Sequence, residues 1–223
     1  ITLGTIDSTQ GTVIYEGTGS SSLALGYDYL DLKFDNASGV WTLSTALDVE
    51  NDLTINSTTI TLEAALTVGN DLILTAGTLD MQSNNLTVTG DLSNADTLEM
   101  DGGQTVSIGL MDIDSGTIIY NGTGTNSLSL SDYYNVTFNN ASGIWQTQSD
   151  LTVSGNLTVS QGELDLGSNS ISVSGTVSNN GVIKLEGDQS GLVTLDTDSG
   201  TVIYDGTGVS SLLFEYTYYN LEF

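Results

Sequence analysis

Two pairs of aspartates have the spacing that could bind a cation. Asp112 and Asp114 are separated by one residue, and Asp196 and Asp198 occupy the equivalent positions of a later repeat. If each pair lies in a β-strand, its carboxylates share one face about 7 Å apart, because side chains alternate across a strand. Such a pair can hold one hydrated cation, although calcium takes six to eight oxygen ligands. The pattern predicts either Ca²⁺ binding at these four aspartates or a solvated acidic edge.

Aromatic side chains concentrate in two stretches, 23–46 and 128–150. The first contains Tyr27, Tyr29, Phe34 and Trp41, and the second contains Tyr133, Tyr134, Phe138 and Trp145. Buried rings would cap part of a hydrophobic core. Exposed rings would offer flat surfaces on which a glycan or another partner could stack. The functional alternative is therefore a partner platform made of Tyr27, Tyr29, Trp41, Tyr133, Tyr134 and Trp145.

The chain lacks most of the groups on which enzymes rely. It has no histidine, cysteine or arginine, and Lys33 and Lys184 are its only cationic side chains. Without histidine, no side chain with an ordinary pKa titrates near neutral pH. Paired carboxylates can hydrolyse glycosides, but with 28 acidic residues such a pair is unspecific. We predict that the chain is not an enzyme, with a polysaccharide-acting β-helix enzyme as a distant alternative, and that it has no cofactor apart from Ca²⁺ at the aspartate pairs.

The acidic composition excludes several kinds of partner. The 223 residues carry a net charge of −26, which would repel nucleic acid and anionic membrane surfaces. No apolar run approaches the length of a membrane span, which is about 18 residues or more. Because 38% of the residues are hydrophobic, the composition indicates a folded body with an acidic exterior and not a disordered chain.

The chain repeats itself. The phrase at 11–15 returns at 116–120 and again at 200–204, which defines repeats 11–115, 116–199 and a partial repeat 200–223. The alignment of the first repeat with the second jumps by 19 residues, the length of the segment 47–65, which itself reads like its neighbours. A stack of coils of about 20 residues, into which one whole coil can be inserted, explains this difference.

Each coil contains three short strands. In the coil 151–170, apolar residues alternate with polar ones in three pairs, which are Leu151/Val153, Leu157/Val159 and Leu164/Leu166. Alternation of period two indicates a strand with one buried face. Turn-forming Gly, Ser and Asn residues separate the pairs. The absence of proline suits uninterrupted backbone ladders.

These patterns predict a right-handed parallel β-solenoid, that is, a β-helix of roughly ten coils. The predicted boundaries are 1–22, 23–46, 47–65, 66–85, 86–104, 105–127, 128–150, 151–170, 171–191 and 192–211, with a partial coil at 212–223. An antiparallel sandwich is the alternative. It is disfavoured because the pattern keeps its phase from coil to coil and tolerates a whole-coil insertion. Since both ends fall inside repeats, we expect a single solenoid segment of a longer protein.

The repeats resemble those of very large bacterial β-strand-repeat surface proteins. The phrases that carry the resemblance lie at 151–159, 200–208 and 218–223, and the repeat style extends over nearly the whole chain. Filamentous-haemagglutinin-like proteins and autotransporter passengers have repeats of this style. The resemblance implies a secreted solenoid that serves adhesion or builds extracellular fibres, and it carries over no catalytic residue.

We therefore expect a structural segment of a secreted or cell-surface filament, stalk or adhesin. Its expected partners are further copies or repeats of the same protein, joined end to end. The alternative is a surface module that binds a glycan or a mineral through the aromatic-rich coils. Neither nucleic-acid binding nor membrane insertion is expected.

Overall fold

The chain is an all-β protein in a computed structural model that describes residues 9–22, 28–189, 195–207 and 217–223. These residues form parallel sheets and no helix, and they wind into a β-solenoid of about 10 turns spaced about 19 residues apart. The predicted fold class is confirmed. No helix within these ranges is long and apolar enough to cross a membrane.

The chain divides into two compact units. Unit 1 consists of residues 1–100 and 104–116, and unit 2 consists of residues 101–103 and 117–223. The strands of unit 1 are β1 Thr12–Tyr15, β2 Gly19–Ser22, β3 Asp31–Asp35, β4 Gly39–Leu43, β5 Leu47–Val49, β6 Leu53–Asn56, β7 Thr58–Leu62, β8 Leu66–Val68, β9 Leu72–Leu74, β10 Gly77–Asp80, β11 Leu86–Asn94, β12 Thr97–Met100 and β13 Val106–Met111. Those of unit 2 are β14 Thr117–Tyr120, β15 Gly124–Ser127, β16 Asp132–Tyr133, β17 Asn135–Gln146, β18 Leu151–Val153, β19 Leu157–Asp165, β20 Ile171–Val173, β21 Val177–Asn179, β22 Val182–Leu185, β23 Thr201–Tyr204 and β24 Asn220–Glu222.

Each turn stacks on the next through parallel strand pairs. In unit 1, β5 pairs with β8, β6 with β9, and β7 with β10, so the three strands of one turn meet the same three strands of the following turn. In unit 2, β17 pairs with β19, and β19 pairs with β21 and β22. Every second residue points inward because side chains alternate across a strand. The interior is therefore a column of aliphatic side chains.

The register places like residues on like residues. Leu47 pairs with Leu66 and Val49 with Val68, and all four side chains are buried. Burial of such a side chain contributes about 1.5–3 kcal/mol. Because every turn repeats this contact on both sides, the hydrophobic stabilisation is spread evenly along each unit.

Tight corners join the strands. The residue Gly77, which has a φ of +96°, begins β10 directly beside Thr58 of the preceding turn. A side chain at Gly77 would collide with the Thr58 backbone, so the corner needs glycine for both its conformation and its close approach. Other corners are held by amide side chains that reach the previous turn. For example, Asn84 Nδ2 donates to the Leu62 carbonyl at 2.8 Å.

The segment 47–65 forms one complete turn, as the repeat comparison predicted. Its strands β5, β6 and β7 pair with the following turn, while β6 and β7 pair with β3 and β4 of the preceding turn. In the second repeat, which has no such insertion, β17 pairs directly with β19. Phe138 then meets Val159, and Trp145 meets Leu164.

We expect that deletion of residues 47–65 leaves a folded protein that still unfolds cooperatively. The deletion brings Phe34 against Leu74 and Trp41 against Leu79, which reproduces the contacts of Phe138 and Trp145 in the second repeat. Circular dichroism and urea unfolding measure the result. The matched control deletes only residues 47–56, which shifts the following strands out of register and should abolish cooperative unfolding. Loss of cooperative unfolding in both deletions would contradict the modular turn.

Candidate functional site

The aromatic residues of unit 2 form a closed cluster. The rings of Tyr120 and Phe138 stack with centroids 5.4 Å apart, and the Trp145 ring lies 5.2 Å from Phe138. Tyr133 packs edge-on against Tyr120 at 6.2 Å. All four side chains are buried. The cluster fills the interior at the turn 128–150, which is longer than the following turn 151–170.

Hydrogen bonds satisfy every polar atom of this cluster. The Tyr120 and Tyr133 hydroxyls are 2.9 Å apart, and Tyr133 donates to the Leu130 carbonyl at 2.8 Å. Tyr120 must therefore donate to Tyr133. Burial raises the pKa of both tyrosines well above the ordinary value. The indole nitrogen of Trp145 donates to the Asp101 carbonyl at 2.8 Å.

Unit 1 contains the equivalent cluster with one bond missing. Tyr15 stacks on Phe34 at 5.5 Å, and the Tyr15 and Tyr29 hydroxyls are 2.9 Å apart. Trp41 packs on Phe34 at 5.5 Å and is 6% exposed. Its buried indole nitrogen has no hydrogen-bond partner among the described residues. A buried donor without an acceptor costs about 1–3 kcal/mol.

The predicted aromatic platform is wrong. Tyr29, Tyr133 and Trp145 are completely buried and Trp41 is nearly so, which leaves no row of exposed rings for a glycan or a mineral. Tyr134 is only half-buried, but it lies alone outside the cluster. Tyr27 lies outside the described residues. The rings point inward and stack on one another, because burial in the core removes their large apolar surface from water.

The aspartate pairs lie in turns and not in strands, so the predicted strand geometry is wrong. β13 ends at Met111, and β23 begins only at Thr201. Asp112 Oδ1 accepts the Asp114 N–H at 2.8 Å, and Asp112 Oδ2 accepts the Ser115 hydroxyl at 3.0 Å. The first carboxylate of the pair therefore closes the turn that leads to the next strand.

The second pair has the same geometry. Asp196 Oδ1 accepts the Asp198 N–H at 3.1 Å, while Oδ2 accepts the Asn179 N–H at 2.8 Å and the Ser199 hydroxyl at 3.2 Å. The identical arrangement in two repeats shows that the Asp-x-Asp-Ser sequence specifies this turn.

The pKa values of the two carboxyl groups in each pair shift in opposite directions. Burial acts to raise the pKa of Asp196, but the hydrogen bonds from the Asn179 and Asp198 backbones and from side chains outweigh it and lower the pKa to about 2. A hydrogen bond with Asp196 and its negative charge raise the pKa of Asp198. The Asp112 pKa is likewise lowered and the Asp114 pKa raised. Hydrogen bonds thus stabilise the ionised form of the first aspartate, whereas the charge of the first aspartate destabilises the ionised form of the second.

A calcium site at these turns stays a prediction. Both oxygens of the first aspartate already accept hydrogen bonds. The second aspartate is bound more loosely, because Asp198 accepts only a long contact of 3.4 Å from the Ser199 hydroxyl. The described residues contain no group of three or more acidic side chains that could hold a metal ion.

The two lysines form ion pairs. Lys33 Nζ lies 2.6 Å from Asp35 Oδ2, and Lys184 Nζ lies 2.7 Å from Asp205 Oδ2. Both pairs are partly exposed, so each contributes little to stability. Each lysine neutralises one carboxylate of the acidic outer surface, Asp35 and Asp205 respectively.

A shallow groove open to solvent crosses three turns of unit 2. It runs over Gly143, Gly162 and Gly181, with Ile144 and Glu163 at its side. Burial raises the pKa of Glu163, and Lys184 partly opposes this shift. The described residues that line the groove hold one ionisable group and no aromatic ring. A single carboxyl group does not provide the acid and base pair that glycoside hydrolysis requires.

Several buried polar residues were missed by the sequence reasoning. Asn94 and Asn179 are 2% exposed and occupy equivalent inward positions at the ends of β11 and β21. Asn179 accepts the Gly181 N–H at 3.1 Å and donates to the Thr201 carbonyl at 3.1 Å. The signal was present in the sequence, because each asparagine continues the inward alternation that begins at Leu92 or Val177.

We expect Tyr133→Phe to cost more stability than Tyr120→Phe. Without the Tyr133 hydroxyl, the buried Tyr120 hydroxyl and the Leu130 carbonyl both lose their partner, at about 1–3 kcal/mol for each unsatisfied group. Tyr120→Phe removes only a donor and leaves the bond from Tyr133 to Leu130 intact, so its cost should be about 0.5–1.5 kcal/mol. Urea unfolding of the two variants measures the difference. Equal losses in the two variants would contradict this order of donors and acceptors.

We expect Asp198→Asn to raise the melting temperature at pH 7. The folded state raises the pKa of Asp198 above its ordinary value of 3.8, so the ionised group opposes folding above the folded pKa and this cost disappears below pH 3.8. The gain should therefore vanish in acid. Asp196→Asn should destabilise the protein at pH 7, because the low pKa of Asp196 contributes stability that is lost only as the pH falls from 3.8 to about 2.

Calorimetric scans across this pH range test both signs, and the same scans test calcium. Specific binding predicts a larger rise in melting temperature with Ca²⁺ than with Na⁺ at equal ionic strength, and Asp198→Asn should reduce it. Equal effects of the two salts would leave only charge screening.

Comparison with known proteins finds no match for this chain, neither a family model, nor a curated protein, nor a solved structure. The resemblance to bacterial surface repeats therefore stays a prediction that rests on the repeat phrases alone. The fold and the turn and cluster geometry are the physical basis on which a function can be proposed.

Proposed function

We propose that this chain is a structural segment of a secreted or cell-surface filament, stalk or adhesin. One observation carries the proposal: the side chains that could do chemistry bond one turn to another. Such contacts are made by Tyr133 to Tyr120, Trp145 to Asp101, Asn179 to Thr201 and Asp196 to Asn179. Under this proposal the chain acts through its repetition and not through a site.

The surface composition supports the same role. The interior rows are aliphatic and aromatic, whereas 28 acidic side chains are set against only two lysines. A high net charge of one sign keeps proteins soluble and apart. The parallel ladder gives each turn the same neighbours on both sides, so length is added by adding turns. These are the properties that a spacer between a cell and its surroundings needs.

The proposal assigns the chain no catalytic role and places it outside the cell. Its partners are further turns of the same kind, from the same protein or from another copy. Ca²⁺ at the second aspartate of each Asp-x-Asp turn would act as a bridging counterion and not as a cofactor for chemistry. The groove in unit 2 has no assigned ligand.

Surface labelling tests the proposed location. An antibody against this segment should label intact cells of the source organism, and mild external protease should remove the signal while a cytoplasmic marker is retained. Electron microscopy of the natural protein, released from the cells, should show thin extended particles. Labelling only after permeabilisation, or a compact particle, would contradict the proposal.

A further inference from the structure

A protruding corner loop forms one wall of the groove in unit 2. The strands β17 and β19 shift register at this corner, because Asn139 pairs with Gln161 whereas Ile144 pairs with Glu163. Four residues of β17, at 140–143, therefore lie opposite a single residue of β19, and the extra residues bulge out of the ladder. Two of these four residues are exposed.

Hydrogen bonds and close backbone contacts fix the shape of the groove. Asn140 Nδ2 donates to the Asn121 carbonyl at 2.7 Å, and Asn140 Oδ1 accepts the Ser142 N–H at 3.0 Å. On the floor, a side chain at Gly162 would collide with the Asn140 carbonyl, and one at Gly181 would collide with the Gly162 carbonyl. The groove is therefore a built part of unit 2, and no side chain can replace the glycines of its floor.

One outward row of side chains runs along the groove. Ile144 pairs with Glu163, and Glu163 pairs with Val182. The carboxylate thus lies between two aliphatic side chains, with turns about 4.7–4.9 Å apart, and all three side chains are half-buried. In unit 1, the row that begins at the equivalent Val40 continues with Thr59. The fold itself therefore does not require an acidic residue in this row.

The Glu163 carboxylate has no hydrogen-bond or ion-pair partner among the described residues. Lys184 attracts it, but the Lys184 ammonium already pairs with Asp205 at 2.7 Å. Burial raises the pKa of Glu163, Lys184 partly opposes this shift, and Asp165 and Asp205 raise the pKa further. A cation placed in the groove would stabilise the ionised form of this carboxyl group.

The surroundings of Glu163 favour a cation that carries an aliphatic stem. The net charge of −26 repels anionic ligands. Calcium takes six to eight oxygen ligands, and the described lining supplies one carboxylate. The same lining has no aromatic ring on which a sugar could stack. An arginine side chain satisfies both features, because its stem packs on apolar surface and its guanidinium forms two parallel hydrogen bonds with a carboxylate.

We propose that the groove binds an arginine side chain from an extended basic segment of another protein. The guanidinium binds the Glu163 carboxylate, and the stem packs against Ile144 and Val182. The side-chain amides of Gln161 and Asn180, which also line the groove, offer acceptors to the remaining N–H groups. The acidic surface attracts the basic segment, and the groove selects one side chain of it. The inference goes beyond the proposed function, because such binding does not depend on where the chain is located.

A pair of matched peptides tests the ligand. The first is Gly-Thr-Arg-Thr-Gly with both ends blocked, and the second has citrulline, an uncharged analogue of similar shape, in place of arginine. Titration is followed by the backbone amide signals of the ¹⁵N-labelled protein at about 0.15 M salt, where the screening length is about 8 Å. The arginine peptide should shift the signals of the groove residues. The citrulline peptide should bind about tenfold more weakly, since it lacks the charged hydrogen bonds.

Two matched variants test the residue. Glu163→Gln keeps the shape of the side chain and should weaken binding of the arginine peptide about tenfold. Glu63→Gln removes the same charge from an exposed residue that does not line the groove, and it should leave the affinity unchanged. Circular dichroism checks that both variants are folded. In the unmodified protein, the carboxyl ¹³C signal should show that the pKa of Glu163 falls when the arginine peptide is bound, because a cation favours the ionised form.

Several results would overturn the proposal. Absence of binding at millimolar peptide, equal binding of the two peptides, or equal weakening by the two variants would leave only diffuse attraction to an acidic surface. A soluble amino-sugar oligomer is titrated in parallel, and binding of that oligomer without binding of the arginine peptide would assign the groove to an amino sugar instead. Since these titrations do not depend on the labelling of intact cells, their failure would leave the proposed function standing.

Discussion

The backbone hydrogen bonds between successive turns are the constraint on which the rest of the structure depends. They hold the described strands parallel to their neighbours, and outside the register shifts within β11 and β17 a residue meets its equivalent in the next turn. The rule applies to unfavourable contacts as well as to favourable ones. Thr78, Leu79 and Asp80 meet Thr97, Leu98 and Glu99. The leucine pair fills the core, whereas burial and the neighbouring Asp80 charge raise the pKa of Glu99. In a chain with this ladder, acidic residues at equivalent positions of adjacent turns repel each other unless a cation or a lysine neutralises them.

The same register explains where the polar side chains are used. A corner interrupts the ladder and leaves backbone groups without a strand partner, and a buried group of this kind must be satisfied. The chain meets this need with Asn, Gln and Asp side chains that reach a neighbouring turn, such as Asn169 to the Thr147 carbonyl and Gln104 to the Gln82 carbonyl. The Asp-x-Asp turn is one more solution, in which the first carboxylate replaces the missing acceptors. Most polar side chains that suggest chemistry in the sequence form hydrogen bonds at the corners of the solenoid instead.

The sequence predicted the features that follow from repetition and missed those that depend on the shape of a single turn. The inward pairs such as Leu66 and Val68 and the parallel stacking follow from periodicity and are confirmed. The segment 47–65 forms one turn, and its origin as an insertion stays a prediction. The right-handed sense stays a prediction. The aromatic residues were harder to place, because alternation does not show whether a longer turn bulges outward or widens its interior, and Tyr133 and Trp145 lie inside. The aspartate pairs were assigned to strands because alternation cannot reveal that Asp112 accepts the Asp114 N–H.

The difference between the two tryptophan clusters shows that a turn is not complete by itself. Trp145 is satisfied by a carbonyl that lies 44 residues earlier in the chain, so the interior of one turn depends on more than its immediate neighbour. Trp41 meets Ile60 of the turn 47–65 where Trp145 meets Leu164, its N–H is unpaired among the described residues, and its ring is reversed. The chemistry of this cluster is therefore a property of the stack and not of the sequence of one coil.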